Sequence, residues 1–157
     1  MVLQSGQLVA GDIFTNIVGN SGLTLEDAWN AARMAGLEDD INQMPMGMHT
    51  VINEGTSTLS GGQRQRILIA RAVAQRPRII FFDEATSALD NHTQAIVTAS
   101  LAKLKATRLV IAHRLSTIIH ADRILVLHDG RIVQNGSYDK LIAEDGPFAD
   151  LVKRQML

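Results

Sequence analysis

The spacing of apolar and polar positions predicts helices in the first part of the chain. Thr24 and Asp27 have the spacing of a capping box, and apolar residues then recur at helical intervals until Gly36. A second, shorter helix is predicted over 37–44, because Pro45 follows it. This part of the chain is therefore expected to be mainly helical.

From residue 59 onward, the pattern changes to alternating helices and strands. The predicted elements are helices at 62–75, 93–105 and 138–151, strands at 78–82 and 109–112, and a hairpin of 124–127 with 131–134 around Asp129-Gly130. The run at 78–82 is almost continuously apolar, which is typical of a parallel strand buried on both faces. Alternation of this kind predicts an α/β fold.

Composition narrows the class of protein. The chain has 157 residues, 46% of them hydrophobic and 20% charged, and a net charge of −1. These values fit one globular domain and exclude a disordered tail or a strongly basic nucleic-acid module. The absence of cysteine excludes disulfides and thiolate metal sites. No apolar run approaches the roughly 20 residues that span a bilayer, and the first residues lack the pattern of a signal peptide.

The charges are unevenly distributed along the chain. Residues 1–55 have seven acidic side chains against Arg33 alone, whereas residues 56–157 have a net charge of +5. Two differently solvated surfaces would explain this, and so would two subdomains with different tasks.

Polar side chains follow three predicted strands. Gln4 follows Val2-Leu3, Asp83 and Glu84 follow the strand at 78–82, and His113 follows the strand at 109–112. Each of these alone is compatible with a structural role, but ligands of open α/β sheets bind beyond the carboxyl ends of the strands. Oxygen ligands favour Mg²⁺, which Asp83 would hold. In phosphate chemistry Glu84 would be the general base, His113 would contact the γ-phosphate and Gln4 would sense the metal or the water.

A turn of small residues precedes the predicted helix at 62–75. This glycine turn (Leu59–Gln63) contains Ser60, Gly61 and Gly62, and Ser60 and Gln63 again have capping-box spacing. Small residues let backbone N–H groups approach an anion at a helix N-terminus. The sequence therefore predicts a phosphate site at this turn.

Five segments of the sequence resemble ATP-binding cassette (ABC) ATPases. Leu59–Arg66 resembles the signature motif, Phe81–Asp90 the Walker B strand and D-loop, and Ile111–Ser116 the H-loop. Val2–Gln4 resembles the Q-loop, and Glu54-Gly55 the exporter X-loop. The segments occur in the family's order and span nearly the whole chain.

The resemblance implies a P-loop ATPase core with an α-helical signature subdomain. The helical subdomain would occupy about residues 12–76, and the α/β core remainder would occupy 1–11 and 77–157. The family's ligands are ATP and Mg²⁺, with Asp83 and Gln4 at the metal.

The resemblance also implies roles for individual residues, which fall into two groups. The catalytic group is Glu84, His113 and Gln4. The residues implied to contact nucleotide are Ser60, Gly61, Gly62, Gln63 and Asp90, and the glycine turn would serve the ATP held by the opposite subunit.

A motor domain of a membrane exporter is the implied function. Its partners would be a second ATPase subunit in a homodimer and a transmembrane domain contacted through Glu54 and the Gln4 region, at the cytoplasmic face of the inner or plasma membrane. Residues 32–37 and 44–50 resemble exporters of bacteriocin-type peptides most.

One family motif has no counterpart in this sequence. A P-loop ends in Gly-Lys-Ser or Gly-Lys-Thr, and none of the four lysines follows a glycine. The chain is therefore interpreted as the C-terminal part of an ATPase domain without the Walker A strand. Such a part is expected to be inactive alone, and its incomplete parallel sheet is expected to self-associate.

Two other functions compete with the exporter motor. An ABC-type ATPase acting on nucleic acid or the ribosome would use a basic patch, for which the candidates are Arg64, Arg66, Arg71, Arg76 and Arg78. No aromatic residues interleave with these arginines, so a solvated helix face is preferred and no nucleic acid is expected as a partner. The third possibility is a non-catalytic chain that only docks on a partner.

Overall fold

The computed structural model describes residues 2, 6–53, 59–83, 89–112 and 115–156. The chain forms two compact units, residues 1–111 and 112–157, and each is described by itself. None of the helices in the described ranges combines the length and the apolar character needed to cross a membrane.

The first unit contains five helices, a 3₁₀ turn and four strands among its described residues. In chain order these are β1 (Gly11–Asp12), α1 (Ile13–Val18), α2 (Leu25–Met34), α3 (Glu38–Asn42), the 3₁₀ turn Gly47–His49, β2 (Val51–Ile52), α4 (Gly61–Ala74), β3 (Ile79–Asp83), α5 (Asn91–Ala102) and β4 (Thr107–Ile111). The described part of the second unit contains α6 (Leu115–Ile118), β5 (Ile124–His128), β6 (Arg131–Gly136), α7 (Tyr138–Ala143) and α8 (Pro147–Met156).

Capping side chains set where α1, α2, α4 and α5 begin, whereas α3 begins after Leu37 without a side-chain cap. The predicted capping box of α2 is present, with the Thr24 side chain accepting from the Asp27 N–H and the Asp27 side chain accepting from the Thr24 N–H. Helix α1 is an element that the sequence pattern did not predict. Asp12 starts it by accepting a hydrogen bond from the Thr15 N–H at 2.7 Å.

The core of the first unit lies among its helices and one face of a small sheet. Helix α4 packs against α1 and α2. Most of the buried apolar residues belong to α1, α2, α4, β3 and α5, and α3, the 3₁₀ turn, β2 and the connecting segments contribute the others to the same cluster. Aliphatic side chains and alanines dominate it, as the low aromatic content of 4% predicts.

The parallel pairing predicted for the two strands is confirmed, but the predicted burial of both faces is wrong for this chain. Strands β3 and β4 are parallel, and Val2 forms a parallel bridge with Phe82 on the other side of β3. Along β3 buried and exposed residues alternate, and all five residues of β4 are exposed. The helices of the first unit cover one face of β3, so an apolar run that suits burial on both faces keeps one face open.

The second unit contains the predicted hairpin. Strands β5 and β6 are antiparallel, and Asp129 and Gly130 both have positive φ, at 47° and 73°. This is the backbone of a tight two-residue hairpin turn, which explains the Asp-Gly pair.

The single closing helix predicted for residues 138–151 is wrong, because two helices, α7 and α8, occupy this region. Gly146, with φ of 159°, precedes Pro147, which is the first residue of α8. Proline suits a first helical position but cannot continue a helix, so the chain starts a new helix there.

Candidate functional site

Parallel pairing brings neighbouring strand ends to one edge of the first unit. Asp83 is the last residue of β3, its N–H donates to the Val2 carbonyl oxygen at 2.9 Å, and Ile111 is its register partner on β4. Of the residues predicted at this edge, Asp83 is described and is half-buried. Gln4, Glu84 and His113 lie outside the described residues, so their convergence with Asp83 stays a prediction.

The glycine turn forms the N-terminus of α4. Ser60 is the N-cap, and its hydroxyl accepts from the Gln63 N–H at 3.1 Å. The Ser60 N–H in turn donates to Gln63 Oε1 at 2.9 Å, which completes the predicted capping box. The first intrahelical bond runs from the Arg64 N–H to the Ser60 carbonyl oxygen.

These bonds decide which N–H groups remain for a ligand. The first turn of a helix has N–H groups without intrahelical partners, and here the capping box uses those of Ser60 and Gln63. The N–H groups of Gly61 and Gly62 lie between them. Among the described residues nothing stands within 4 Å of where a Cβ would project from Gly61. The turn therefore fits a phosphate approaching the positive end of the helix dipole.

The first turn of α5 begins at Asp90, which was predicted to contact nucleotide. Its two carboxylate oxygens accept from the Thr93 N–H at 2.9 Å and from the Thr93 hydroxyl at 2.7 Å. The bond from the Thr93 N–H, together with that from the hydroxyl, lowers the pKa of the Asp90 carboxyl. In this structure Asp90 therefore has a definite role as an N-cap, and its predicted contact with nucleotide stays a prediction.

Two polar contacts at α4 were not predicted from the sequence. Asp40 of α3 accepts hydrogen bonds from Gln63 Nε2 at 2.7 Å and Arg66 Nη1 at 2.8 Å. Farther along the helix, Arg71 donates to the carbonyl oxygen of Asn16 at 2.6 Å and to its Oδ1 at 2.7 Å. Burial lowers the pKa of the Arg71 guanidinium. Both contacts join residues more than twenty positions apart, so local spacing gives no signal for them.

These contacts change how the arginines of α4 are interpreted. Two of the five residues weighed as a nucleic-acid patch, Arg66 and Arg71, are turned into the first unit, and Arg76 lies 4.0 Å from Asp27. The guanidinium groups of Arg66 and Arg71 are occupied by protein acceptors, which disfavours a continuous basic surface.

The chemistry of the strand edge fits a hard divalent cation, since Asp83 offers carboxylate oxygen. Within the described ranges, no group of three acidic or histidine side chains could hold a metal ion without further ligands. Any Mg²⁺ at Asp83 would need oxygens from the other predicted residues, from water or from a phosphate.

The model of the family described as "ABC transporter" matches residues 4–87, which is more than half of the chain. The chain therefore belongs to the ABC transporter family, and its fold is the mixed α/β fold of ABC ATPases.

Individual relatives agree with this assignment. The chain is 46% identical over 159 residues to the ATP-dependent lipid A-core flippase of Pectobacterium atrosepticum, covering 99% of this chain and 27% of the relative. It is 44% identical over 147 residues to the alpha-hemolysin translocation ATP-binding protein HlyB of Escherichia coli, covering 92% of this chain and 21% of the relative. A solved structure of a bacterial Atm1-family ABC exporter with ATP bound superposes with a TM-score of 0.95 at 38% identity, covering 99% of this chain and 28% of that chain. The chain thus spans about a quarter of the length of these proteins.

Proposed function

We propose that the chain is part of the ATP-binding and ATP-hydrolysing motor of an ABC exporter. The observation that supports this most directly is the N-terminus of α4, where a complete capping box flanks the N–H groups of Gly61 and Gly62. Phosphoryl transfer asks a protein mainly for positioned donors and charge stabilisation, and this turn supplies positioned donors. The exporter with ATP bound, which superposes along 99% of the chain, supports the same function.

The strand edge would supply the remaining chemistry. Asp83 and Gln4 would hold Mg²⁺, directly or through water, and the metal would neutralise charge on the phosphates. Glu84 would accept a proton from the attacking water, and His113 would contact the γ-phosphate.

The nucleotide contacts of the motor would be shared between two subunits. The glycine turn and Asp90 would act on ATP held by the second subunit of a homodimer, so hydrolysis would require the dimer. Glu54 and the Gln4 region would contact a transmembrane domain at the cytoplasmic face of the membrane. The superposition on an ABC exporter, of which this chain covers 28%, supports the proposal that the chain works within a larger transporter.

The proposed cargo is a peptide of the bacteriocin type. The resemblance of residues 44–50 to such exporters supports it, and one relative is named for translocation of alpha-hemolysin. Another relative is named for lipid A-core, so a lipid is the alternative. We expect peptides, and not lipid A-core, to stimulate ATP turnover in the longer transporter of which this chain is proposed to be a part. Stimulation by lipid A-core and not by peptides would exclude a peptide cargo.

The proposed chemistry is tested by Glu84→Gln in the longer transporter. The amide cannot accept a proton, so ATP turnover is expected to fall by about 10²–10⁴-fold while ATP binding persists. The matched control is Glu26→Gln, an identical change at an exposed residue in the first turn of α2. Turnover above a tenth of the normal rate in Glu84→Gln would show that Glu84 is not the general base.

A further inference from the structure

We propose that Asp40 is a positioning residue that fixes how the glycine turn presents its N–H groups to phosphate. The inference rests on the proposed function, since it concerns the same turn. It assigns a role to a residue outside the motifs, on a different helix from the turn. Asp40 touches neither the nucleotide nor the reacting atoms in this scheme, and it acts through Gln63.

Gln63 is held at both ends of its carboxamide. Its Oε1 accepts from the Ser60 N–H at 2.9 Å, and its Nε2 donates to Asp40 Oδ1 at 2.7 Å. An ionised carboxylate can only accept hydrogen bonds, so Asp40 requires the NH₂ end of the amide to face it. The oxygen is thereby directed at Ser60. With the amide reversed, an NH₂ group would face the Ser60 N–H, and the capping box would be lost.

Asp40 is itself held and neutralised by α4. Its second oxygen accepts from Arg66 Nη1 at 2.8 Å, and the side chains of Arg66 and Asp40 are only 12% and 26% exposed. The same Arg66 nitrogen also donates to the Gly36 carbonyl oxygen, at the loop that joins α2 to α3. A lone carboxylate near the start of α4 would repel an incoming phosphate, but its ion pair with Arg66 offsets that charge.

The backbone N–H groups at the start of α4 therefore have two different roles. The capping box uses the N–H groups of Ser60 and Gln63, and Asp40 keeps the capping box in one orientation. The N–H groups of Gly61 and Gly62 are then presented in a fixed direction. Preorganised donors stabilise developing charge because they need no reorganisation during the reaction.

A charge-exchange cycle between Asp40 and Gln63 tests the contact in the 157-residue chain. Gln63→Glu keeps the oxygen that faces Ser60 but places a second carboxylate against Asp40. At pH 7 the midpoint of urea unfolding, followed by the fluorescence of Trp29, is expected to fall by about 1 M. Asp40→Asn in the Gln63→Glu background restores an NH₂ donor and should recover most of the loss.

The matched control for this cycle is Asp39→Asn in the same background. It makes the same charge change one position away, at an exposed residue of the same helix. Asp39→Asn should not restore the midpoint of urea unfolding that Gln63→Glu lowers. An unchanged midpoint in Gln63→Glu, or equal recovery with Asp39→Asn, would overturn the proposal.

Turnover in the longer transporter separates a positioning role from a purely structural one. Asp40→Asn is expected to lower kcat/KM for MgATP by about tenfold, while Asp39→Asn stays within twofold of the wild type. The double variant with Asp40→Asn and Gln63→Glu should have a higher kcat/KM for MgATP than Gln63→Glu alone. If Asp40→Asn keeps normal turnover although the urea cycle shows coupling, Asp40 is structural only and the proposal is wrong. If the wild-type transporter hydrolyses no ATP, the proposed function fails, and the urea cycle still decides whether Asp40 orients Gln63.

Discussion

Asn16 is expected to be the most sensitive polar residue of the first unit. The residue is 1% exposed, and all of the hydrogen-bonding capacity of its side chain is used. Oδ1 accepts from the Val9 N–H at 3.0 Å and from Arg71 Nη2 at 2.7 Å. Nδ2 donates to the carbonyl oxygens of Val9 at 2.9 Å and Asp12 at 3.0 Å. One side chain therefore joins α1, the segment before it and α4.

The cost of Asn16→Ala follows from the groups it leaves behind. A buried polar group without a partner costs about 1–3 kcal/mol. Val9 is exposed, so its backbone groups can form hydrogen bonds with water instead. Asp12 and Arg71 are less exposed, so the Asp12 carbonyl oxygen and the Arg71 guanidinium lose hydrogen bonds that water replaces less readily. The free energy of unfolding is expected to fall by about 3 kcal/mol. With a slope of about 2 kcal/mol per M of urea, the midpoint falls by about 1.5 M.

The fluorescence of Trp29 is a suitable probe for this measurement. It is the one tryptophan of the chain, and it packs against the core of the unit that contains Asn16. The control is Asn20→Ala, the same substitution at an exposed residue in the turn after α1, which should leave the midpoint unchanged. A midpoint for Asn16→Ala within about 0.3 M of the wild type would show that the contacts of Asn16 do not stabilise the unit.

The other predictions concern acid stability and assembly of the chain. Hydrogen bonds lower the pKa of Asp90, so its contribution is present above the unfolded pKa of about 3.9 and disappears as the pH falls through the lower folded value. The stability advantage of the wild type over Asp90→Asn should therefore shrink between pH 6 and pH 3 in thermal melts, and a constant difference would contradict this. Phe81 and Leu109 are exposed and lie on the same face of the sheet, so sedimentation experiments should show that the chain self-associates. Leu109→Lys should weaken this self-association, whereas Ile142→Lys, at an exposed position of α7, should not. Calorimetry on the chain should show no MgATP binding tighter than about millimolar, because none of its lysines follows a glycine as the lysine of a phosphate-binding P-loop does.

Local chemistry explains which elements could be predicted from the sequence. The capping boxes at Thr24 and Ser60 and the Asp129-Gly130 turn depend on residues within four positions of one another, and all three are present. The break between α7 and α8 has an equally local signal in Gly146-Pro147, but the helical spacing of apolar residues across it predicted one helix. Proline at a first helical position should have outweighed that spacing.

Burial and long-range contacts were harder to predict, for a physical reason. An apolar run such as Ile79 to Phe82 shows that a strand suits burial on both faces, but only the packing elements decide whether both faces are covered. Likewise, nothing adjacent to Asp40 in the sequence indicates Gln63 as its partner. The capping residues of the candidate site were predictable, whereas the side chain that orients them depends on how α3 packs beside α4.

The packing of the first unit partly explains the uneven distribution of charge along the sequence. Among the described residues, acidic side chains of the first 55 positions pair with arginines of the following segment in two places. Asp27 and Arg76 are 4.0 Å apart, and the Arg76 side chain is 80% exposed, so solvent screens this pair and it contributes little. Asp40 and Arg66 are closer and less exposed, and Asp40 also accepts a hydrogen bond from Gln63, so solvent screens their attraction less. The asymmetry therefore matters most where an acidic helix meets the start of α4, because there it both orients the capping amide and cancels a charge that would otherwise oppose an anion.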